Sequence, residues 1–238
     1  MKVSVIVPSY KFSTYIEQCI YSILSQKTNF DFEILVRDDF SQDGTDEILD
    51  YISYFNTNIK YYKSTENWGG YENIKFLISQ CSGEYIAYID GDDFWTDNKK
   101  LQKQVDFFDS NPDYILSFTG HWNLNPNGIS YPHPGWLGYI YTHEITTENL
   151  ILNNNVAYGK MFRNVKDIVK DYFKELPYFD WPLCFELSLL GKIKYLDFPS
   201  GMYRIHGKGD MTSLTMEQKI KNKDIISDKL KSIYYELK

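Results

Sequence analysis

The chain has 238 residues, of which 43% are hydrophobic and 24% charged; these are globular values and leave room for one large domain or one domain with an appendage. A formal net charge of −7 excludes the broad basic footprint of a nucleic-acid binder, though not an anionic small ligand held through a metal ion. Three cysteines, Cys19, Cys81 and Cys184, are too widely spaced for a metal site and odd in number, and they read as reduced thiols of a cytoplasmic protein.

The N-terminal apolar run is too short for a signal sequence, and no stretch approaches the ~20 apolar residues of a membrane span. Residues 3–7 are β-branched and apolar and predict a first strand, closed by Pro8, Ser9 and Tyr10. Helical spacing of Tyr15, Ile16, Cys19, Ile20, Ile23 and Leu24 predicts a helix over 13–26. A second strand, 32–36, runs into Arg37-Asp38-Asp39, and Ser41-Gln42-Asp43-Gly44 is turn chemistry. A helix over 45–55, a strand over 59–62, Asn67-Trp68-Gly69-Gly70 and a helix containing Ile74, Leu77 and Ile78 follow. Alternating strands and helices imply a parallel sheet. The chain contains neither G-x-G-x-x-G after strand one nor G-x-x-x-x-G-K-[ST], which removes a dinucleotide Rossmann site and a P-loop.

The apolar strand 85–89 then stops at Asp90-Gly91-Asp92-Asp93, three carboxylates in four residues. Ligands of open α/β sheets bind beyond the carboxyl ends of strands. Crowded carboxylates there are either a solvated turn or a seat for a divalent cation that also binds phosphate. A second acid pair at the same edge, Asp38-Asp39, suits a combined nucleotide and metal site.

Four blocks in this order resemble the family-2 glycosyltransferases: Val5-Ile6-Val7-Pro8-Ser9-Tyr10, residues 33–45, Asn67-Trp68-Gly69-Gly70 and Asp90-Gly91-Asp92-Asp93. The sequence departs from that pattern at Lys11, usually Asn, and at Phe40, usually a small residue. The resemblance implies an α/β GT-A fold, a Rossmann-like mostly parallel sheet flanked by helices, and a nucleotide-sugar donor. It implies that Pro8, Ser9 and Tyr10 line the base pocket and that Asp38 or Asp39 accepts from the base, commonly uracil. Asn67, Gly69 and Gly91 join the donor-binding set. Asp90 would lie near ribose and metal and Asp92 would ligate a divalent cation, Mn²⁺ or Mg²⁺, with Asp93 ligating or supporting.

A helix is predicted over 99–108 and a strand over 114–119, followed by Gly120-His121-Trp122 beside the expected sugar pocket. His121 and Trp122 are acceptor-side candidates, with a structural histidine as the alternative. Residues 123–145 are rich in Pro and Gly and predict a long loop; its Trp136, Tyr139 and Tyr141 are suited to stack on sugar or to pack. Helices are expected over 147–152 and 164–176. Asp180 precedes Pro182 and reads as a helix N-cap; the resemblance makes it instead the catalytic base of an inverting enzyme, with Phe179 where the family has Glu. After a strand over 192–198, Tyr203-Arg204-Ile205-His206 resembles the family's closing element, which would bring His206 to the metal or diphosphate and Arg204 or Lys208 near phosphate. Residues 216–238 form an amphipathic helix that packs on the domain or touches a membrane surface peripherally.

The expected organisation is a donor half, 1–112, an acceptor-side half, 113–214, and a terminal helix. The expected activity is inverting transfer from a nucleotide-sugar, UDP-linked by the resemblance, to a saccharide or lipid-linked saccharide. A nucleotidyltransferase and a non-catalytic nucleotide-sugar binder are the alternatives.

Overall fold

Burial decides the first strand: every residue of β1 (Val3–Ser9) is buried, with Val3, Val5 and Val7 on one face of the sheet and Ile6 on the other. The computed structural model describes residues 1–130, 145–156, 158–207, 209 and 213–238. After β1 come α1 (Ile16–Leu24), β2 (Phe32–Asp38), α2 (Thr45–Phe55), β3 (Ile59–Lys63), α3 (Gly69–Ser79) and β4 (Tyr85–Tyr88). Strand β1 lies between β2 and β4, and β3 flanks β2, all parallel. The register sets Ser9 opposite Asp38 and Ile6 opposite Tyr88, so the carboxyl ends of three strands reach one edge.

The second half is not a parallel continuation. Strand β5 (Phe94–Trp95), helix α4 (Lys100–Ser110), β6 (Tyr114–Asn125), β7 (Gly128–Ser130), α5 (Thr147–Leu152), β8 (Met161–Arg163), α6 (Asp180–Ser188), β9 (Lys192–Arg204) and α7 (Met216–Glu236) follow in order. The sheet runs β3-β2-β1-β4-β8-β6-β9-β5, with β7 paired to β6. Strand β8 is antiparallel to both β4 and β6, while β9 is parallel to β6. The sheet is therefore mixed.

Helices cover both faces. Ile16, Ile20, Leu49, Ile52, Leu101 and Phe108 bring α1, α2 and α4 onto one face, while Ile74, Leu77, Leu183 and Leu187 bring α3 and α6 onto the other. A third cluster joins Ile151, Trp181 and Phe185 to Ile226 and Leu230 of α7.

Several expectations are corrected. The long loop expected over 123–145 begins as structure: β6 continues to Asn125 and turns back into β7. Trp136, Tyr139 and Tyr141 lie outside the described residues. The helix expected over 164–176 is a single 3₁₀ turn, Asp171–Glu175, because Asp167 has a left-handed backbone (φ 58°) that ends any helix there. Ile168 and Phe173 are buried nonetheless, so their spacing reports burial and not helix. Strand β9 continues past Pro199 to Arg204 through irregularities in its pairing with β6. In α7 only part of the expected apolar face is buried: Ile226 and Leu230 are covered, whereas Ile220 is 55% exposed. Among the described residues no helix is long and apolar enough to cross a membrane.

Candidate active site

The carboxyl end of β1 is held on both sides. The amide of Asp39 donates to the Ser9 carbonyl at 2.9 Å and that of Gly91 to the Pro8 carbonyl at 3.1 Å, so the two acid clusters flank Pro8 and Ser9. A side chain at Gly91 would meet Ile16 and Phe12 at 3.1 Å and the Pro8 carbonyl at 3.2 Å, so this glycine serves the close approach of two backbones. Tyr10 projects outward, 41% exposed. Lys11 and Phe40, both departures from the family pattern, adopt left-handed backbone, φ 60° and 62°. That conformation is why Asn or a small residue suits those positions.

Asp38 and Asp39 have different surroundings. Asp38 is buried and accepts from both the amide and the hydroxyl of Ser41; burial pushes it above the usual carboxylate range against those donors. Asp39 accepts from the amides of Trp68 at 2.9 Å and Gly69 at 2.8 Å, the N-terminus of α3, and from Arg37 at 3.2 Å. The Arg37 guanidinium stacks 3.8 Å from the Trp68 ring centre and also donates to Asn73 and Ser64. Asn67 accepts from the Gly69 amide at 3.0 Å. Asp39, Asn67 and Gly69 thus form one joint between β2 and α3.

The acid turn is bound to the end of β9. Asp93 is buried and accepts from the Arg204 amide at 2.8 Å, and burial beside Asp92 and Asp90 drives it well above its ordinary value. Asp92 lies 3.0 Å from His206 Nε2, whose ring stacks on Tyr15 with centroids 5.0 Å apart. The Tyr88 hydroxyl donates to Asp90 at 2.6 Å; burial and the charge of Asp92 push Asp90 up to about 7, opposed by Tyr88 and Lys160. Arg204 turns away: it donates to Gln18 and its guanidinium sits 4.6 Å from the Phe94 ring and 5.0 Å from that of Tyr15.

Asp180 is the first residue of α6, and the N-cap position is held by Phe179. The N-cap expectation is therefore wrong. Its Oδ2 accepts from Asn154 Nδ2 at 3.0 Å and Lys160 Nζ at 3.1 Å. Lys160 is 7% exposed in its side chain and approaches the Tyr88 ring at 5.8 Å. Tyr88, Asp90, Asp93, Tyr158, Lys160 and Tyr203 line a cavity of about 30 Å³ that joins the acid turn to this ion pair.

A family profile described as Glycosyl transferase family 2 matches residues 4–173, well over half the chain. The chain belongs to glycosyltransferase family 2. It is 35% identical over 154 residues to a putative teichuronic acid biosynthesis glycosyltransferase of Bacillus subtilis, TuaG, a match covering 65% of this chain and 58% of that one. Among solved structures it is similar to S. aureus TarS 1-349 in complex with UDP-GlcNAc, with a TM-score of 0.69, 24% identity, and coverage of 91% of this chain and 62% of that one. A mannosyltransferase from Pyrobaculum calidifontis in complex with GDP-Man and Mn²⁺ superposes with a TM-score of 0.63 at 15% identity, covering 87% of this chain and 58% of the other. The mixed sheet flanked by helices is the GT-A fold of these neighbours. The chain spans less than two thirds of the length of these relatives.

Within this family 2 fold, the predicted residues do not all converge. Pro8, Ser9, Asp38, Asp90, Gly91, Asp92 and His206 gather at the strand ends. His121 packs behind the cavity wall, against Tyr158 and Tyr203 with centroids 5.1 and 5.9 Å away, and burial with the nearby Lys160 lowers it to about 4, so the ring is neutral. Trp122 is half-buried on β6, its backbone paired with Met202 of β9. Lys208 lies outside the described residues, as does Trp136. Sequence reasoning missed Lys160, Tyr88 and Gln18, whereas Asn154 lies in a turn, 153–159, expected on the acceptor side. Lys160 stands alone before the short apolar stretch Met161-Phe162, and a single lysine there gives the sequence no pattern to read.

Proposed function

We propose that the chain catalyses inverting, divalent-cation-dependent transfer of a sugar from a nucleoside diphosphate, UDP by preference, to a hydroxyl of a glycan or lipid-linked glycan. The observation that carries this reading is the pair formed by Asp92 and His206 at 3.0 Å, beside Asp90 and at the same edge as Pro8 and Asp38. A carboxylate with an imidazole is a donor set suited to a cation that takes its remaining oxygens from a diphosphate. Among the described residues no group of three or more acidic, His or Cys side chains is arranged to hold a metal ion, and in this reading a diphosphate supplies the further ligands. A cation bound there would offset charge on the leaving diphosphate.

In this reading Pro8, Ser9 and Tyr10 bound the base, and Asp38 accepts a base N–H. Asp39, already engaged by α3 and Arg37, positions that wall. Asp93 ties the acid turn to β9 and keeps His206 facing Asp92. Asp180, 32% exposed in its side chain, takes the acceptor hydroxyl proton as the oxygen attacks the anomeric carbon. The new C–O bond forms as the bond to the diphosphate breaks, and its electron pair leaves with the nucleoside diphosphate. The UDP-GlcNAc bound to TarS and the teichuronic acid role in the name of TuaG support the donor and acceptor classes.

Calorimetry with UDP, with and without Mn²⁺, joined to a UDP-release assay, tests the proposal. Asp92→Ala is expected to abolish the Mn²⁺-dependent part of UDP affinity, and Asp180→Asn to keep UDP affinity and lose at least 10²-fold in turnover. UDP affinity indifferent to Mn²⁺ in the unsubstituted protein would overturn the metal reading.

A further inference from the structure

Two donors converge on one oxygen of Asp180. Asn154 Nδ2 and Lys160 Nζ both reach Oδ2, at 3.0 and 3.1 Å, and among the described residues no donor reaches Oδ1. The two come from opposite ends of the segment between α5 and β8, so the carboxylate is gripped from outside its own helix.

Lys160 is an improbable residue to find at this depth unless paired. Burial pulls its amine down, and Asp180, with Cys184 and Asp90, more than reverses this, so it remains charged. Its backbone is fixed as well. Gly159 has φ 66°, and any side chain there would meet Thr119 Oγ1 at 2.0 Å. The Gly159 carbonyl accepts from Gln104 of α4 at 2.9 Å. Asn154 is set by its own turn, its Oδ1 accepting from the Val156 amide at 3.1 Å. The grip therefore rests on α4, β8 and a closed turn.

We propose that Lys160 and Asn154 are positioning residues that clamp Oδ2 of Asp180 and thereby present Oδ1 as the atom that takes the acceptor's proton. The proposal rests on the base reading of Asp180 given above. A carboxylate tethered by one donor can rotate about its terminal torsion and exchange its oxygens, whereas two donors on one oxygen hold a single orientation. Misplacing a reacting group by 1 Å costs on the order of 10²-fold in rate.

The test uses UDP release from UDP-glucose, UDP-galactose or UDP-N-acetylglucosamine with Mn²⁺, water serving as acceptor, and UDP affinity by calorimetry. Lys160→Met is expected to lower turnover about 10²-fold and Asn154→Ala about 10-fold, with UDP affinity unchanged. Lys160→Arg is expected to restore part of the loss, since a cationic donor is retained. In an Asp180→Asn background, Lys160→Met is expected to cost nothing further, because residues acting through one group are not additive. Equal losses from Lys160→Met in both backgrounds would overturn the clamp, as would unchanged turnover in folded Lys160→Met with Asp180→Asn inactive. Wild-type turnover by Asp180→Asn would remove the base reading and the clamp with it. If thermal melts show Lys160→Met unfolded, Asn154→Ala carries the same comparison in both backgrounds.

Discussion

Lys11 and Phe40 carry backbone strain that the rest of the chain tolerates. Lys11 is exposed and left-handed, and its amide donates to Ser41 Oγ at 2.6 Å, tying the end of β1 to the turn that holds Asp38. A left-handed backbone costs an ordinary residue about 1–2 kcal/mol, and Asn relieves part of it. Lys11→Asn is thus expected to raise the melting temperature by about 2 °C, corresponding to a gain of about 0.5–1 kcal/mol in a chain of this size. A melt unchanged or lowered would show that the lysine side chain, 4.9 Å from the Tyr10 ring centre, contributes more than the backbone strain costs. At this scale the sequence was legible in part. Asp38, Asp90 and Asp92 were legible as candidates because acids at strand ends form a pattern, and His206 because its block resembles the family's closing element. Lys160 was not, since one lysine carries no pattern, and its significance comes from a partner 20 positions on, at the start of a helix.

Helix α4 illustrates how an element can hide its chemistry. Lys100 is fully buried, donates to Gln104 at 2.6 Å and lies 4.3 Å from the Trp95 ring centre. Burial lowers its amine to about 7. Between pH 7 and 10.5 the unfolded state therefore binds the proton that the folded state has lost, and stability contributed at this site rises with pH across that window. Lys100→Met has no such dependence. The melting temperature of Lys100→Met is expected to exceed that of the unsubstituted protein most below pH 7, with the gap narrowing as pH climbs toward 10; a constant gap would contradict the assignment. The first half of the chain was readable by element because each strand is continuously apolar and each helix has one buried stripe. Strands β6 and β9 were shortened in the reading because Gly120, Pro199 and Gly201 interrupt the apolar run where the two strands lose register. The residues around Ile168 and Phe173 were misread as helix because an irregular segment packed on a core also shows spaced apolar residues.

At the scale of the molecule, α7 is the support beneath α6. Ile226 and Leu230, both fully buried, close the cluster around Trp181 and Phe185, and Asn222 donates to the Tyr178 hydroxyl at 3.0 Å. Removing residues 216–238 would uncover Trp181 one position from Asp180. Burying an aliphatic side chain is worth about 1.5–3 kcal/mol, so losing two is a large share of a typical folding free energy. The shortened chain is expected to melt several degrees lower, to bind a hydrophobic dye, and to lose turnover by a larger factor than UDP affinity, because the donor edge is built by β1, β2 and β4. Equal losses of both would mean that α7 supports the whole sheet.

The bond from the Arg204 amide to Asp93 spans 111 positions of chain. During synthesis at about 5–20 residues per second, the acid turn leaves the ribosome on the order of 10 s before the strand that closes it. Through that interval Asp90, Asp92 and Asp93 have neither His206 nor the β9 backbone beside them, and water must keep the carboxylates apart. The parallel strands can pair early, from neighbouring stretches, whereas docking of the last strand draws the acids out of solvent. The proposed donor site is in this way a late acquisition of the nascent chain, gained when β9 arrives.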